Sequence, residues 1–571
     1  MTVTSPLDDP LRDHVIVCGL GHVGYRCLCL LSRLGERAVV ITREAGETWR
    51  VAATSQFTVL VGDARDERLL CEAGIARAKA IIVVTDDDLA NVSIALDARR
   101  LNPALAITVR LFDNALAAQL EKSVQIDRAL SASALAAPAF VAAALGRAVR
   151  CSCESDAAAC LVDEHPIAAE PASSGKTIRE WTQRTGQAVI ALQRGDEITL
   201  RPEPALILQP GDRLTVLSVA TGRSPASEKH RRTVRLTSAV RVWLAGVREW
   251  WQDVPAALRT ALIALLGVVA LSVGVFHVAL DMPVIDAFYF VITTVTTVGY
   301  GDYSFQHAPG WMKLYGSFVM VCGAAIIATL FSIITDLILG TRFRDVIARG
   351  CARFEGHIIV AGLGSIGFRV VRELVRSGET VVAIEQRGSG EFVPVARELG
   401  SVVLGNARTE ETLRRAGIVG AKAIVAATDD DLANLSIALA AKRAHPACRV
   451  VLRLFDAALA EKMRDGPGID AVLSVSTAAA PTFVGAALCP GTLQGIVLGD
   501  WMVAVFGRIV RRESTEIGRR ADRLGETESA LLVRHDGAAT YRDVPPDYCL
   551  QAGDQILGVR WYHLRKRPFD E

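Results

Sequence analysis

The chain has 571 residues, more than one hydrophobic core organises, and carries a net charge of +1. Hydrophobic residues make up 51% and charged residues 22%, with mean hydropathy +0.30, a balance that fits a largely soluble protein with a small membrane part and gives no sign of a nucleic-acid partner. The 12 cysteines include no CxxC pair and no His/Cys cluster at zinc spacing, which excludes a zinc ribbon and suits a reducing cytosol.

Met1 to Asp13 is polar without an apolar h-region, so no cleaved signal peptide is expected. From there the chain repeats itself. Val15-Ile-Val-Cys-Gly-Leu-Gly-His-Val-Gly24 matches Ile358-Ile-Val-Ala-Gly-Leu-Gly-Ser-Ile-Gly367 at an offset of 343. The same offset pairs Thr85–Leu96 with Thr428–Leu439, which differ only at Val92/Leu435, and no gap is needed from about residue 15 to 145. In the first repeat the strand candidates are His14–Cys18, Ala38–Ile41, Thr58–Val61, Ala80–Val84 and Ile107–Arg110, with helical stretches between them. Strands alternating with helices predict a parallel, doubly wound α/β sheet. Each repeat continues into a smaller β-rich lobe. In both lobes a Gly-Asp turn (Gly211-Asp212, Gly553-Asp554) precedes an apolar run and reads as a hairpin.

Thr260 to Leu280 and Tyr315 to Thr335 contain no Lys or Arg, and each reaches about 31 Å as a helix, enough to cross a bilayer. Between them, Val284 to Val298 is too short and too polar to span, and suits a re-entrant segment. Arginines precede the first span (Arg231 to Arg259) and follow the second (Arg342 to Arg353), with only Lys313 between, so both ends are expected in the cytoplasm. Trp243, Trp250 and Trp251 suit an interfacial helix or a packed linker. The expected layout is an α/β N-lobe at 11–145, its C-lobe at 146–222, a basic linker at 223–255 and a membrane module at 256–341. That module holds spans at 260–280 and 311–340 around a re-entrant 283–302. A second N-lobe follows at 355–490 and a second C-lobe at 491–571.

The re-entrant segment ends in Thr297-Val298-Gly299-Tyr300-Gly301-Asp302, the signature of a potassium selectivity filter. A dehydrated K⁺ needs rings of oxygen, which the carbonyls of Thr297 to Tyr300 and the Thr297 hydroxyl supply. Pointing successive carbonyls one way requires alternating backbone hand, which explains Gly299 and Gly301. Pro283 suits the first turn of the preceding helix, whose C-terminal dipole would favour a cation. One chain contributes one filter segment, so four are expected around the pore. Gly323, midway along the second span, is either a gate hinge or a helix-packing position.

With these motifs the chain resembles two-span potassium channels with RCK (regulator of K⁺ conductance) domains, although here one RCK copy precedes the pore and one follows it. The resemblance implies Rossmann-like RCK domains flanking an all-α pore module, a plasma-membrane location with membrane lipid around the pore, and a homotetramer whose eight RCK domains form a gating ring under the pore. It also implies a cytoplasmic regulatory ligand, NAD(H) or ATP/ADP, with Ca²⁺ within the family's range. Nucleotide candidates in the second repeat are Gly362, Gly364, Ser365, Ile366, Gly367, Glu385, Asn406, Ala407, Arg408, Thr428, Asp429 and Arg453. The glycine loop would bring a pyrophosphate to a helix N-terminus, and Glu385 stands where a ribose-binding acid belongs. In the first repeat the equivalents are Gly19, Gly21, His22, Val23, Gly24, Thr42, Arg43, Asp63, Ala64, Thr85, Asp86 and Arg110. Thr42, followed by Arg43 and Glu44, departs from the acid: Arg43 could accept an extra phosphate, or the first site could have changed ligand or become empty. Arg110 and Arg453 either meet phosphate or hold the sheet through neighbouring aspartates. The Asp86–Asp88 and Asp429–Asp431 runs read as helix caps before metal ligands. Two other readings stay open: a membrane-attached NAD(P)-dependent oxidoreductase, for which no substrate domain or catalytic acid–base pair is evident, and a non-conducting regulatory subunit of a potassium transporter.

Overall fold

Runs such as Val15–Cys18 and Ile358–Ala361 have no polar face and are fully buried, as strands covered on both sides of a sheet must be. The computed structural model describes residues 12–43, 57–112, 117, 119–121, 126–147, 149–154, 159–168, 175–220, 256–306, 308–339, 355–455, 460, 462–463, 468–521, 524–535, 542–544 and 547–565. The first eleven residues, the 223–255 linker with its tryptophans, and Arg342 to Arg353 lie outside the described residues.

The first N-lobe runs β1 (Val15–Cys18), α1 (His22–Leu34), β2 (Ala38–Thr42), β3 (Thr58–Val61), α2 (Glu67–Glu72), β4 (Ala80–Val83), α3 (Asp88–Leu101), β5 (Ala106–Arg110), β6 (Arg128–Leu130) and α4 (Ala132–Ala144). Its parallel sheet has the order β3-β2-β1-β4-β5-β6. The five strand candidates all form, and β6 is additional. The first C-lobe follows as β7 (Val149–Glu154), β8 (Ala159–Pro166), α5 (Ile178–Thr185), β9 (Ala188–Arg194), β10 (Glu197–Leu200) and β11 (Arg213–Ala220). Helix α5 starts in a reciprocal capping box between Thr177 and Glu180 and stops at Gly186 in the left-handed region.

Three helices make up the 256–339 segment: α6 (Ala256–Ala279), α7 (Val284–Val295) and α8 (Gly310–Leu339). Helices α6 and α8 are long and apolar enough to cross a membrane. The second N-lobe repeats the first as β12 (Ile358–Ala361), α9 (Ser365–Arg376), β13 (Val381–Glu385), α10 (Val393–Leu399), β14 (Ser401–Leu404), α11 (Glu410–Arg415), β15 (Ala423–Ala426), α12 (Asp431–Ala444), β16 (Arg449–Arg453), β17 (Ala471–Leu473) and α13 (Val475–Leu488). Its sheet order, β14-β13-β12-β15-β16-β17, is that of the first. The second C-lobe holds β18 (Thr492–Leu498), β19 (Trp501–Ile509), β20 (Glu528–Arg534), β21 (Arg542–Asp543) and β22 (Gln555–His563). Orders β10-β9-β11-β8-β7 and β18-β19-β22-β20-β21 are one topology read from opposite edges.

The Gly-Asp turns are not hairpin loops. Strand β11 pairs with β8 and β9, and β22 with β19 and β20, never with the strand just before it in sequence. The aspartates explain the turns instead. Asp212 receives Arg194 through Nε and Nη2 at 2.8 Å and the Gln209 amide at 2.8 Å. Asp554 is bonded to His535 at 2.6 Å, Tyr548 at 2.8 Å and the Gln551 amide at 2.8 Å. Consecutive strands pair elsewhere, β7 with β8, β20 with β21, β9 with β10 around Gly195 and β18 with β19 around Gly499, both glycines having positive φ.

The chain divides into two units, one made of both repeats with their C-lobes and the other of residues 230–350. Within the first unit the repeats exchange helices. Ala136, Ala137, Phe140 and Val141 of α4 are buried with Ile358, Val360 and Val425 of the second sheet. Reciprocally, Ala479, Ala480, Phe483 and Val484 of α13 are buried with Val15, Val17, Val40 and Ile82 of the first. The opposite face of each sheet is closed by its own repeat. The C-lobes share a core as well, Val162, Ile190 and Leu217 packing with Ile496, Val503 and Leu557. Phe483 is fully buried in the first repeat's core, so Phe483→Ala is expected to cost about 3–5 kcal/mol, read as an earlier midpoint in denaturant unfolding.

Candidate functional sites

In the membrane segment Pro283 stands at the N-cap of α7, one residue before the helix proper. Thr293 and Thr294, both buried, return their hydroxyls to the Phe290 carbonyl at 3.0 and 2.6 Å. The Thr293 carbonyl then accepts from the amides of Val298 (3.0 Å) and Gly299 (3.2 Å), tying the following segment back onto the helix end. Along that segment φ is +61° at Thr297, +49° at Gly299 and +82° at Gly301, while Val298 and Tyr300 keep negative φ. The backbone hand thus alternates from Thr297 to Gly301. The glycines were expected to carry it; Thr297 was not. A β-branched residue in the left-handed region costs about 1–3 kcal/mol, strain of a kind that clusters at functional sites.

Phe276, Phe290, Phe305 and Tyr315 form an aromatic cluster with ring centroids 5.1–5.9 Å apart. A cavity of about 420 Å³ lies between Phe290, Thr293, Thr297, Asp302, Phe305 and Met320. Val298 and Tyr300 remain exposed in the single chain. A Cβ on Gly323 would stand 3.0–3.2 Å from Val295, so this glycine lets α8 press against the end of α7. That gives it a packing role whether or not the helix also bends there.

In each repeat the three glycines of the Gly-x-Gly-x-x-Gly motif, two before the helix and one in its first turn, divide the work. Gly19 and Gly362 adopt φ of +102° and +96°, closed to side chains. A Cβ on Gly24 or Gly367 would meet the carbonyl oxygen of Gly19 or Gly362 at 1.9 or 1.8 Å, so these glycines seat helix against strand. Gly21 and Gly364 have ordinary φ and nothing within 4 Å of a Cβ. They are the N-caps of α1 and α9, without side-chain caps, and leave the helix N-terminus open to an anion. His22-Val23 and Ser365-Ile366 are the first residues of these helices, with Val23 and Ile366 buried.

Glu385 ends β13. Its carboxylate accepts from the Leu363 amide of the glycine loop at 2.8 Å and from the Arg387 amide at 3.0 Å. Asn406 accepts from the Arg408 amide at 3.0 Å, beside buried Ala407, and Arg408 pairs with Asp430 at 3.2 Å. The first repeat differs. Thr42 is buried, and Asp63 binds both Arg43 (2.7 Å) and Arg65 (2.7 Å), next to buried Ala64. The two guanidiniums hold the Asp63 carboxyl well below the usual carboxylate range, Arg65 contributing most.

The Thr-Asp-Asp-Asp-Leu-x-Asn motif is a clamp. Buried Asn434 accepts from the Thr428 amide (2.9 Å) and hydroxyl (2.7 Å) and donates to the Arg453 carbonyl (3.1 Å), and Asn91 does the same with Thr85 and Arg110. Asp87 and Asp430 cap α3 and α12, while Asp88 and Asp431 accept from the Phe112 and Phe455 amides. Asp86 and Asp429 precede these caps. Among the described residues no three His, Cys, Asp or Glu gather as a metal site. Arg453 donates to the Thr428 carbonyl at 3.0 Å and lies 4.2 Å over the Phe455 ring. Burial pushes its pKa down to about 10 against the pull of Asp429 and Asp431. Arg110 is lowered by burial too, with Asp88 and Asp86 opposing.

Sequence reasoning missed the seam between repeats. Arg369, nearly buried on α9, donates to Ser133 Oγ at 2.8 Å and to the Phe112 carbonyl, 4.9 Å from the Phe112 ring centroid. His22 faces Phe455 with centroids 4.6 Å apart. The offset of 343 could have paired these repeats, but no sequence pattern marks contacts across them.

The TrkA-N domain family matches residues 15–132 and 358–475, the ion channel family 262–339, and the TrkA-C domain family 164–219. The chain is similar to voltage-gated potassium channel Kch of Escherichia coli, 26% identical over 31% of this chain and 43% of that protein. It is also similar to potassium channel protein 1 of Methanocaldococcus jannaschii, 23% identical over 47% of this chain and 84% of that one. Among solved structures, the GsuK channel bound to NAD shares the fold at TM-score 0.51 and 17% identity, covering 98% of this chain and 78% of that one. The match to Kch thus spans less than half of that relative's length.

The glycine geometry yields a paired expectation. Gly367→Ala drives a Cβ into the Gly362 carbonyl and should lower the melting temperature of the purified protein by several degrees. Gly364→Ala, with nothing within 4 Å, should leave it unchanged.

Proposed function

We propose that this chain, which combines the TrkA-N, ion channel and TrkA-C domains of two-span potassium channels with RCK domains, is one subunit of a K⁺-selective channel gated by a cytoplasmic adenine nucleotide. The observation that carries the pore reading is the alternating hand at Thr297, Gly299 and Gly301, immediately after a short helix and between two membrane-length helices. Four copies around one axis supply the oxygen rings, from the carbonyls of Thr297 to Tyr300 and the Thr297 hydroxyl. The exposed Val298 and Tyr300 then meet neighbouring subunits.

Four chains bring eight RCK domains, two from each, to a ring on the cytoplasmic side of the plasma membrane, where both termini lie. The open helix N-termini at Gly21 and Gly364 support phosphate binding, and Glu385 supports a ribose contact in the second repeat. The NAD bound by GsuK makes NAD(H) a first ligand to test beside ATP and ADP. Ligand shifts the gate only by its difference in affinity for open and closed rings. Gly323 is the candidate bend in α8.

Purified protein in a planar bilayer should pass K⁺ over Na⁺, and NAD⁺, NADH, ATP or ADP on the cytoplasmic face should change open probability. Glu385→Ala should raise the half-effective nucleotide concentration about tenfold or more, the loss of a charged hydrogen bond. Current without K⁺ selectivity overturns the pore reading. Selective current indifferent to every nucleotide, with no nucleotide bound, overturns the sensor reading.

A further inference from the structure

The two glycine loops are built alike, but the strand ends beside them are not. In the second repeat the side chain at the end of β13 is Glu385, whose carboxylate lies against the glycine loop through the Leu363 amide. A carboxylate there accepts from free ribose hydroxyls and repels a phosphate on the same ribose. The first repeat puts uncharged, buried Thr42 at that position and follows it with Arg43. Arg43 and Arg65, with side chains 53% and 48% exposed, converge on Asp63 at the end of β3. The matching positions of the second repeat are Gln386, Asn406 and Arg408. Residues 42, 43, 63 and 65 thus carry two guanidiniums and one carboxylate, and residues 385, 386, 406 and 408 one of each, while the next residues in the two repeats are Glu44 and Arg387. Asp63 occupies one terminal nitrogen of Arg43 (Nη2), and a guanidinium has five N–H donors in a planar fork suited to phosphate.

We infer that the first repeat selects an adenine nucleotide bearing a phosphomonoester on its adenosine ribose, at the 2′ position, whereas the second selects one with free ribose hydroxyls. This rests on the reading that both glycine loops bind nucleotide. One chain then senses two chemically different pools, and Asp63 holds Arg43 and Arg65 ready at the mouth of the first site.

The test is equilibrium binding to the full-length, detergent-solubilised protein, with each site isolated by a carboxylate at the open glycine. Gly21→Asp and Gly364→Asp suit this, since neither position meets an atom within 4 Å or has positive φ. With Gly364→Asp, NADP⁺ and 2′,5′-ADP should bind about ten- to a hundredfold more tightly than NAD⁺ and 5′-ADP, the range of a charge-assisted hydrogen bond pair. With Gly21→Asp the preference should reverse. Arg43→Ala, at an exposed position, should remove most of the first-site preference, and Thr42→Glu should turn it toward NAD⁺. Equal binding of NAD⁺ and NADP⁺ to Gly364→Asp overturns the inference and leaves the nucleotide reading intact. Tighter binding of 3′,5′-ADP than of 2′,5′-ADP overturns the 2′ assignment. Binding of no nucleotide by either isolating variant or by the parent protein overturns both readings together.

Discussion

Helix α4 closes the sheet of the second repeat and α13 closes that of the first, with Phe140 and Phe483 fully buried in the exchanged positions. Each sheet is apolar on both faces, so neither repeat buries its own strands without the other. The two repeats stand 343 residues apart in the sequence yet fold as one unit, and the two membrane-length helices are an insertion into that unit. This resolves how a copy placed ahead of the membrane segment finds a partner: it pairs with the copy behind it in the same chain.

The exchange brings the helix after each glycine loop against residues of the other repeat. Arg369, on the helix that starts at Gly364, grips Ser133 and the Phe112 carbonyl. His22, the first residue of the helix that starts at Gly21, rests on Phe455, the ring beneath Arg453. Burial lowers the His22 pKa, and Asp431 of the second repeat opposes it. The seam is not symmetric: Arg449 donates to the Ala143 carbonyl at 2.7 Å, while its counterpart in the first repeat is Ala106.

In the membrane segment the governing constraint is on the main chain. The Thr293 carbonyl holds two successive amides, and the alternating φ beyond it includes a threonine in the left-handed region. The surrounding structure must enforce that conformation. The aromatic cluster of Phe276, Phe290, Phe305 and Tyr315 and the close approach of α8 at Gly323 supply the rigidity around it.

Much was legible in the residues. Alternating apolar runs set the strands, the internal repeat set the domain plan, and the filter motif and glycine loops located the candidate sites, because each depends on local backbone chemistry. The Gly-Asp turns misled because Asp212 and Asp554 bind side chains and amides of their own lobes, and a turn motif does not say which strands it joins. The repeated aspartates and Asn91/Asn434 prove to be caps and clamps, a role set by where β5 and β16 end. By itself the sequence determined the periodicities, the repeat and the loop chemistry, all of which act over a few neighbouring residues. Tertiary structure alone decided that the helices cross between sheets, since burial of Phe140 and Phe483 depends on a surface supplied by residues hundreds of positions away.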